Sequence, residues 1–118
     1  MKVLIVDDSV TMRRIEATQL SQLGITDILQ AENGRIGFEI LIANMPVDVI
    51  LLDINMPEMD NMTLLKKIRS DPKFSTVKIV MVTSESEKVR VLEALRAGAN
   101  DYMVKPFSLN DFTKRITI

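Results

Sequence analysis

The chain has 118 residues, of which 47% are apolar, and a formal net charge of −1. This length suits one domain with a single core, and the near-neutral charge disfavours a nucleic-acid binder, which needs a basic surface. The absence of cysteine and histidine excludes disulfides, a thiol nucleophile and the commonest general base and metal ligand. Any metal must then be a hard cation bound through oxygen. No leader-like segment or membrane-length apolar stretch is present, so we predict a cytoplasmic protein.

Five short apolar runs, separated by stretches with helical spacing, predict β-strands. They cover residues 2–6, 27–31, 48–52, 78–82 and 101–104. Three of these runs are rich in Val, Ile and Leu without polar alternation, which is typical of strands that are buried on both faces. The same pattern is typical of a parallel sheet.

The intervening stretches, residues 9–24, 33–44, 62–72, 86–98 and 108–118, predict amphipathic helices. Gly24 and Gly98 are expected just beyond two helix ends. The expected core-facing residues are Met12, Ile15, Leu20, Leu23, Phe38, Leu41, Ile42, Leu64, Leu65, Ile68, Leu92, Leu95, Leu109, Phe112 and Ile116. Five βα units fill residues 1–118 as one domain, which predicts an α/β fold with helices on both faces of a parallel sheet.

Carboxylates follow two of the predicted strands. Ligands of such sheets bind beyond the carboxyl ends of the strands, where Asp7 and Asp8 follow the first strand and Asp53 the third. If these strands are neighbours, about 5 Å apart, the three carboxylates are too crowded to be ionised together without a cation. Mg²⁺ suits oxygen ligands with access to water. A capped helix start explains one such aspartate, but three favour a metal site.

Two hydrogen-bond donors follow the fourth and fifth strands. Thr83 comes after the fourth strand, and Lys105 follows the fifth, directly before Pro106. A hydroxyl and an ammonium group next to a Mg²⁺ site suit an anion with several oxygens, such as a phosphoryl group. Taken singly, Thr83 or Ser84 could equally be explained as a helix cap, and Lys105 could be explained as an ordinary surface lysine. Together at successive strand ends they favour an anion site.

Four segments, "VLIVDDSVTMRR", "DVILLDINMPEMD", "VMVTSES" and "GANDYMVKPF", resemble the receiver domain of bacterial response regulators. The chain is most similar to the stand-alone chemotaxis (CheY-like) type, and the order of its repeats matches throughout. The resemblance implies a flavodoxin-like (βα)5 doubly wound sheet with strand order 2-1-3-4-5.

The resemblance also implies a phosphorelay function with Mg²⁺. Asp53 is expected to accept a phosphoryl group from the phosphohistidine of a histidine kinase or from a small acyl phosphate. Asp7 and Asp8 are expected to place Mg²⁺ together with Asp53 and the backbone carbonyl of Asn55. Such a domain is a signalling protein, not an enzyme, because it catalyses only its own phosphorylation and dephosphorylation.

The resemblance further assigns the groups that sense the phosphoryl group. Lys105 would pair with one phosphoryl oxygen and Thr83 with another, and the Lys105–Pro106 peptide would be cis. Tyr102 matches the aromatic switch position of the family, although an amphipathic residue at the rim of the sheet is an ordinary alternative. One departure from the family pattern is Asn61, which replaces a glycine and should change the loop only locally.

We expect no effector domain after this one, and therefore expect the output to be a change of protein partner. A flagellar motor switch protein is the partner that the resemblance implies, bound by a monomer of this chain. The expected surface around Tyr102 is mixed basic and apolar and suits an acidic amphipathic peptide; it comprises Lys88, Val91, Val104, Phe107, Lys114 and Arg115. Taken individually, Lys114 and Arg115 are better explained as an ordinary solvated helix face.

Three other functions compete with this interpretation. A magnesium-dependent phosphohydrolase with an aspartyl phosphate would place a second aspartate where Asn55 stands, and would need a cap-sized insertion. A flavodoxin-like cofactor carrier needs a phosphate-binding loop where this chain has the acidic "DDS". A purely structural interaction domain would not need the aspartates, Thr83 and Lys105 together. The phosphohydrolase is the nearest alternative, and turnover of phosphate esters would separate it from a receiver.

Overall fold

The structure is a computed structural model that describes residues 1–53, 60–84, 89–105 and 108–116. Within these residues strands and helices alternate along the chain. The strands are β1 (Lys2–Val6), β2 (Asp27–Ala31), β3 (Val49–Asp53), β4 (Lys78–Thr83) and β5 (Asp101–Val104). The helices are α1 (Val10–Gln22), α2 (Gly34–Asn44), α3 (Asp60–Arg69), α4 (Val89–Arg96) and α5 (Leu109–Ile116), with a short 3-10 helix at Pro72–Phe74. None of these helices is both long and apolar enough to cross a membrane.

The five strands form one parallel sheet in the order β2-β1-β3-β4-β5. This confirms the flavodoxin-like α/β fold. β1 is paired on both sides, with Val6 opposite Ala31 of β2 and Leu52 of β3. β3 and β4 end later than predicted, so that Asp53 and Thr83 are their last residues. The carboxyl ends of β1, β3 and β4 therefore meet at one edge of the sheet.

Side chains from both faces of the central strands form the core, as predicted. One cluster packs beneath α2, α3 and α4, and its fully buried members include Leu4, Ile50, Leu52, Leu41, Leu65 and Ile68. The other packs beneath α1 and includes Val3, Ile5, Leu51, Val80 and Leu20. α5 lies next to β5, where Arg115 Nη1 is 3.4 Å from Asp101 Oδ2.

The predicted inner faces of α1 and α2 are partly wrong. Leu20 and Leu41 are buried as expected, but Ile15 is 44% and Ile42 is 49% exposed. One turn before Leu20, on the same face of α1, lies Glu16, which is 1% exposed. The reason is that residues four apart share a helix face, so burying Glu16 with Leu20 rotates Ile15 toward solvent.

The predicted inner face of α4 is wrong. Leu92 is 56% exposed and Leu95 36%, whereas Val91 and Ala94 are buried. α4 thus packs its smaller side chains on the sheet, which lets the helix lie close to the strands. The two leucines remain exposed among the described residues, and an exposed apolar patch is typical of a binding surface.

The turn between α4 and β5 is held by a close contact with α3. Gly98 has a φ of +116°, and a Cβ there would lie 2.6 Å from Cγ of Arg69. Arg69 donates hydrogen bonds from Nε to the Gly98 carbonyl (2.8 Å) and from Nη2 to Asn100 Oδ1 (2.6 Å). Gly98 is therefore required both for its left-handed backbone and for space. This turn fixes the start of β5, the strand that carries Tyr102.

Candidate functional site

The turn between β1 and α1 divides its two aspartates between the interior and the solvent. Asp7 is buried and Asp8 is exposed. The Asp7 amide donates to the Ala31 carbonyl at the end of β2 (3.1 Å), and Asp7 Oδ1 accepts from the Ser9 amide (2.8 Å). Ser9 is the N-cap of α1, because its hydroxyl oxygen accepts from the Met12 amide. The helix cap is thus Ser9, and neither aspartate is needed for that purpose.

Asp53 brings a third carboxylate to the same place. It is the last residue of β3, which neighbours β1, and it is only 3% exposed. One carboxylate oxygen from each of Asp7, Asp8 and Asp53 lies within 4.8 Å of the others. The predicted juxtaposition of these three side chains is therefore present in the fold.

Lys105 is the cation of this cluster. Its Nζ atom lies 3.5 Å from Asp53 Oδ1 and 3.8 Å from Asp7 Oδ2. The Lys105 amide donates to the Thr83 carbonyl (2.6 Å), which continues the pairing of β4 and β5 beyond the strand. Among the described residues, Lys105 pairs with two of the three carboxylates, so the cluster keeps an excess of negative charge that favours the binding of a further cation.

The pKa of Asp7 is raised mainly by its burial and to a smaller extent by the neighbouring Asp53. Burial is the largest effect and raises the pKa of Asp7 to about 6. The charge of Asp53 also raises this pKa, whereas the hydrogen bond from the Ser9 amide and the charge of Lys105 lower it. Asp7 Oδ2 accepts no hydrogen bond within the described residues. A buried carboxylate oxygen without a donor, beside two more carboxylates, is suited to a hard cation such as Mg²⁺. The residues present thus fit the cation that the sequence predicts.

Thr83 lies at the end of β4, next to β3, and is fully buried. Its Oγ1 donates a hydrogen bond to the carbonyl of Ser84 at 3.1 Å. The amide of Lys105 binds the carbonyl of the same threonine. Thr83 therefore has one backbone link to the lysine of the site and a hydroxyl that can exchange its acceptor by rotating about χ1.

Tyr102 lines a cavity at the surface between α4 and β5. The half-buried tyrosine, Val91, Leu92 and Leu95 enclose a volume of about 330 Å³. Val91 lies beside Tyr102, but it is buried and not an exposed surface residue as the sequence predicts, whereas the two leucines expected in the core are exposed. Val104, at the end of β5, is half-buried and lies on the same face of the strand as Tyr102.

The two basic residues of α5 differ in their surroundings. Lys114 is exposed, as a solvated helix face requires. Arg115 Nη1 lies 3.4 Å from both carboxylate oxygens of Asp101, so this arginine joins α5 to β5. The predicted residues Asn55, Lys88 and Phe107 and the Lys105–Pro106 peptide lie outside the described residues, as does the side chain of Asn61.

Two residues near the site escaped the sequence analysis. Glu16 is buried within α1, and burial first, then the charge of Asp7, raises the pKa of Glu16 to about 8. Arg13 donates from Nη1 to the Asp7 carbonyl at 2.6 Å. The position of Glu16, four residues before Leu20 on the same helix, was a usable signal of its burial. Nothing in the sequence marks the role of Arg13, because its hydrogen-bond acceptor is a backbone atom.

Comparison with known proteins agrees with this geometry. The sequence model described as "Response regulator receiver domain" matches residues 3–117. "Chemotaxis protein CheY1" of Helicobacter pylori is 51% identical over 108 residues, which cover 92% of this chain and 87% of that protein. The "Chemotaxis protein CheY homolog" of Campylobacter jejuni is 48% identical over 108 residues, covering 92% of this chain and 83% of that protein.

Solved structures are similar over nearly the whole chain. A putative response regulator from Chloroflexus aurantiacus superposes with a TM-score of 0.89 at 30% identity, covering 98% of this chain and 93% of that one. Vibrio cholerae chemotaxis protein CheY4 gives a TM-score of 0.85 at 29% identity, covering 98% of both chains. Sequence and fold thus point to the same group of proteins.

Proposed function

Because this chain belongs to the response regulator receiver domain family, we propose that Asp53 accepts a phosphoryl group in a bacterial chemotaxis phosphorelay. Receiver domains of this CheY type are signalling domains rather than classical enzymes. The phosphodonor would be the phosphohistidine of a histidine kinase, or a small acyl phosphate. The proposal is carried by one observation: Asp53 lies at a strand end with two further carboxylates within 4.8 Å and Lys105 Nζ at 3.5 Å.

In the proposed reaction a carboxylate oxygen of Asp53 attacks the phosphorus atom of the donor. The new bond is O–P, and the bond that breaks is N–P of the phosphohistidine, or O–P of an acyl phosphate. The electron pair of the broken bond stays on the leaving group. A leaving histidine nitrogen then takes up a proton from water, whereas a leaving acyl oxygen keeps the pair as part of a carboxylate. The protein contributes mainly position and charge, as is general for phosphoryl transfer.

Two side chains would stabilise the phosphorylated state. Lys105, already 3.5 Å from Asp53 Oδ1, would pair with a phosphoryl oxygen. Thr83 would exchange its present acceptor, the Ser84 carbonyl, for another phosphoryl oxygen. Both groups act at atoms that gain negative charge, where preformed donors are most effective.

The cation that fits the carboxylates is Mg²⁺, which receiver domains generally bind. Asp7, Asp8 and Asp53 would hold it, and the resemblance adds the backbone carbonyl of Asn55, which lies outside the described residues. When bound, Mg²⁺ would neutralise the carboxylates and the charge on the transferred oxygens. Asp7 contributes a carboxylate whose Oδ2 accepts no hydrogen bond among the described residues.

Intact-protein mass spectrometry after incubation with acetyl phosphate and Mg²⁺ tests this function. We expect one added phosphoryl group in the natural protein and none in Asp53→Asn. Asp27→Asn, which changes an exposed aspartate at the opposite end of the sheet, should be phosphorylated normally. Phosphorylation of Asp53→Asn, or dependence on Asp27, would contradict the proposal. Continuous release of phosphate from added phosphate esters would favour the phosphohydrolase instead.

The output surface would be the face of α4 and β5 around Tyr102. The exposed leucines Leu92 and Leu95 and the cavity that they share with Tyr102 offer an apolar site for an amphipathic segment. The downstream partner would be a flagellar motor switch protein, an inference supported by the chemotaxis names of the relatives. We further propose that the domain acts as a monomer in the cytoplasm and that residues 1–118 form a single receiver unit.

A further inference from the structure

Arg13 connects three parts of the fold that meet at the acidic cluster. It lies in the first turns of α1, its Nη1 donates to the carbonyl of Asp7 at 2.6 Å, and its Nε donates to Gln30 Oε1 of β2 at 3.3 Å. Its own amide donates to the carbonyl of Ser9. A single side chain thus joins the helix, the end of β1 and the edge strand.

The Asp7 carbonyl belongs to the peptide group that links Asp7 to Asp8. The amide side of Asp7 is held by the Ala31 carbonyl and its Oδ1 by the Ser9 amide. Arg13 supplies the remaining restraint, on the carbonyl itself. Because the peptide group is planar, holding its oxygen also fixes the direction in which the chain enters Asp8.

Asp8 needs such a restraint more than its neighbours do. Asp7 and Asp53 are buried and held by packing, whereas Asp8 is exposed. Its carboxylate nevertheless lies within 4.8 Å of the other two. An exposed carboxylate beside two others is repelled by them and tends to turn away toward water unless the backbone directs it inward.

We propose that Arg13 is a positioning residue for the metal site: its hydrogen bond to the Asp7 carbonyl directs Asp8 toward Asp7 and Asp53. This inference rests on the proposed function, because it requires the three carboxylates to bind Mg²⁺. Arg13 does not contact the reacting atoms. It acts through the backbone between two of the ligands.

Charge alone predicts the opposite effect, which makes the inference testable. The guanidinium group is a positive charge beside a site for Mg²⁺, so its removal should tighten Mg²⁺ binding if only Coulomb repulsion matters. If Arg13 positions Asp8, its removal should instead weaken binding. Changes to groups that orient metal ligands typically reduce metal affinity by roughly 10–100-fold.

The experiment is a Mg²⁺ titration followed by the NMR signals of backbone amides, with the natural protein, Arg13→Met, Arg13→Lys and Gln30→Ala. Arg14→Met is the matched control, because Arg14 is the exposed neighbour on the same helix. We expect a dissociation constant about ten-fold higher in Arg13→Met. Arg13→Lys should have an intermediate dissociation constant, because lysine keeps one hydrogen-bond donor but cannot also reach Gln30. Arg14→Met should have the dissociation constant of the natural protein. The Asp8 amide signal should shift in Arg13→Met before any Mg²⁺ is added.

Each result bears on the inference in a different way. Equal or tighter binding in Arg13→Met, with Mg²⁺ binding intact in the natural protein, overturns the positioning role and leaves the proposed function standing. Absence of Mg²⁺ binding in the natural protein overturns both. If Arg13→Met does not fold by circular dichroism, Arg13→Lys and Gln30→Ala decide: weaker binding in Arg13→Lys supports the inference, and natural affinity in both overturns it.

Discussion

Lys105 Nζ lies 3.5 Å from Asp53 Oδ1, so the proposed phosphoacceptor has its counter-charge in place before any phosphoryl group arrives. The backbone of Lys105 is fixed by the hydrogen bond from its amide to the Thr83 carbonyl. The same ammonium group is 3.8 Å from Asp7 Oδ2. One cation thus serves two buried carboxylates on neighbouring strands.

The first prediction concerns this shared lysine. Lys105→Met should raise the pKa of Asp7 further above about 6, because Lys105 is one of the groups that lower it against the effect of burial. NMR titration of the side-chain carboxyl carbon of Asp7 measures this directly. Lys66→Met, which changes an exposed lysine of α3, should leave the pKa unchanged. An unaltered Asp7 pKa in Lys105→Met would show that the ion pair is not formed in solution.

The second prediction concerns Mg²⁺ and the exposed aspartate. Asp8→Ala should abolish measurable Mg²⁺ binding and phosphorylation, because it removes one of three carboxylate ligands from a site that retains few others. Calorimetric titration of Mg²⁺ with the natural protein and the variant checks the first effect. Glu32→Ala, an exposed acidic residue outside the cluster, is the control for charge. Equal Mg²⁺ affinity in the natural protein and Asp8→Ala would exclude Asp8 from the site.

The third prediction separates phosphorylation from its consequences. Thr83→Ala should still accept a phosphoryl group at Asp53, but phosphorylation should increase its binding to the partner only weakly. The environment of the Tyr102 side chain should change correspondingly little. A hydrogen bond to a charged group is worth about 1.5–3 kcal/mol, which shifts a two-state population by roughly ten- to a hundred-fold. Thr83→Ser keeps the hydroxyl and should respond almost normally. Tight target binding by fully phosphorylated Thr83→Ala would refute the coupling.

The fourth prediction is a pH dependence of stability that originates at Glu16. Burial raises the pKa of Glu16 from 4.5 to about 8. Below pH 4.5 the Glu16 carboxyl is protonated in both the folded and the unfolded chain. Between pH 4.5 and about 8 the unfolded chain loses this proton while the folded chain keeps it. Stability should therefore fall as the pH rises through this window, by at most about 1.4 kcal/mol per pH unit.

Glu16→Gln should remove most of this slope above about pH 6, because the amide does not ionise; below about pH 6 the raised pKa of Asp7 adds a slope of the same sign in both proteins. Urea denaturation at several pH values from about 6 to 8 compares the natural protein with the variant. Glu39→Gln, on the exposed face of α2 where the glutamate pairs with Arg35, should keep the natural slope. Parallel pH profiles for the natural protein and Glu16→Gln would mean that Glu16 is solvated in the folded state.

The fifth prediction tests the apolar surface of α4. Leu92→Asp should weaken binding of the downstream target by about ten-fold or more, because it places a charge in the rim of the cavity beside Tyr102. Ile42→Asp changes a comparably exposed residue on α2, 49% against 56% exposed, and should have no effect. Binding measured by fluorescence polarisation with phosphorylated protein distinguishes the two. Equal losses in both variants would indicate a general effect on the fold.

Much of the fold could be predicted from local sequence. Three of the five apolar runs are rich in Val, Ile and Leu without polar alternation, which favours strands buried on both faces, as in a parallel sheet covered by helices. The placement of Asp7, Asp8, Asp53, Thr83 and Lys105 at strand ends followed from those runs, and the strand order followed from the family resemblance. The parallel sheet then brings these residues to one edge.

The tertiary structure alone decided which side of each helix is buried. Ile15 faces solvent and Glu16 the interior, and on α4 the leucines Leu92 and Leu95 are outside while Ala94 is inside. The backbone acceptor of Arg13 was equally invisible in the sequence. Spacing along a chain indicates which residues share a helix face. Which of two candidate faces meets the sheet depends on the distance and rotation at which the helix packs, and these are set by the side chains of distant strands.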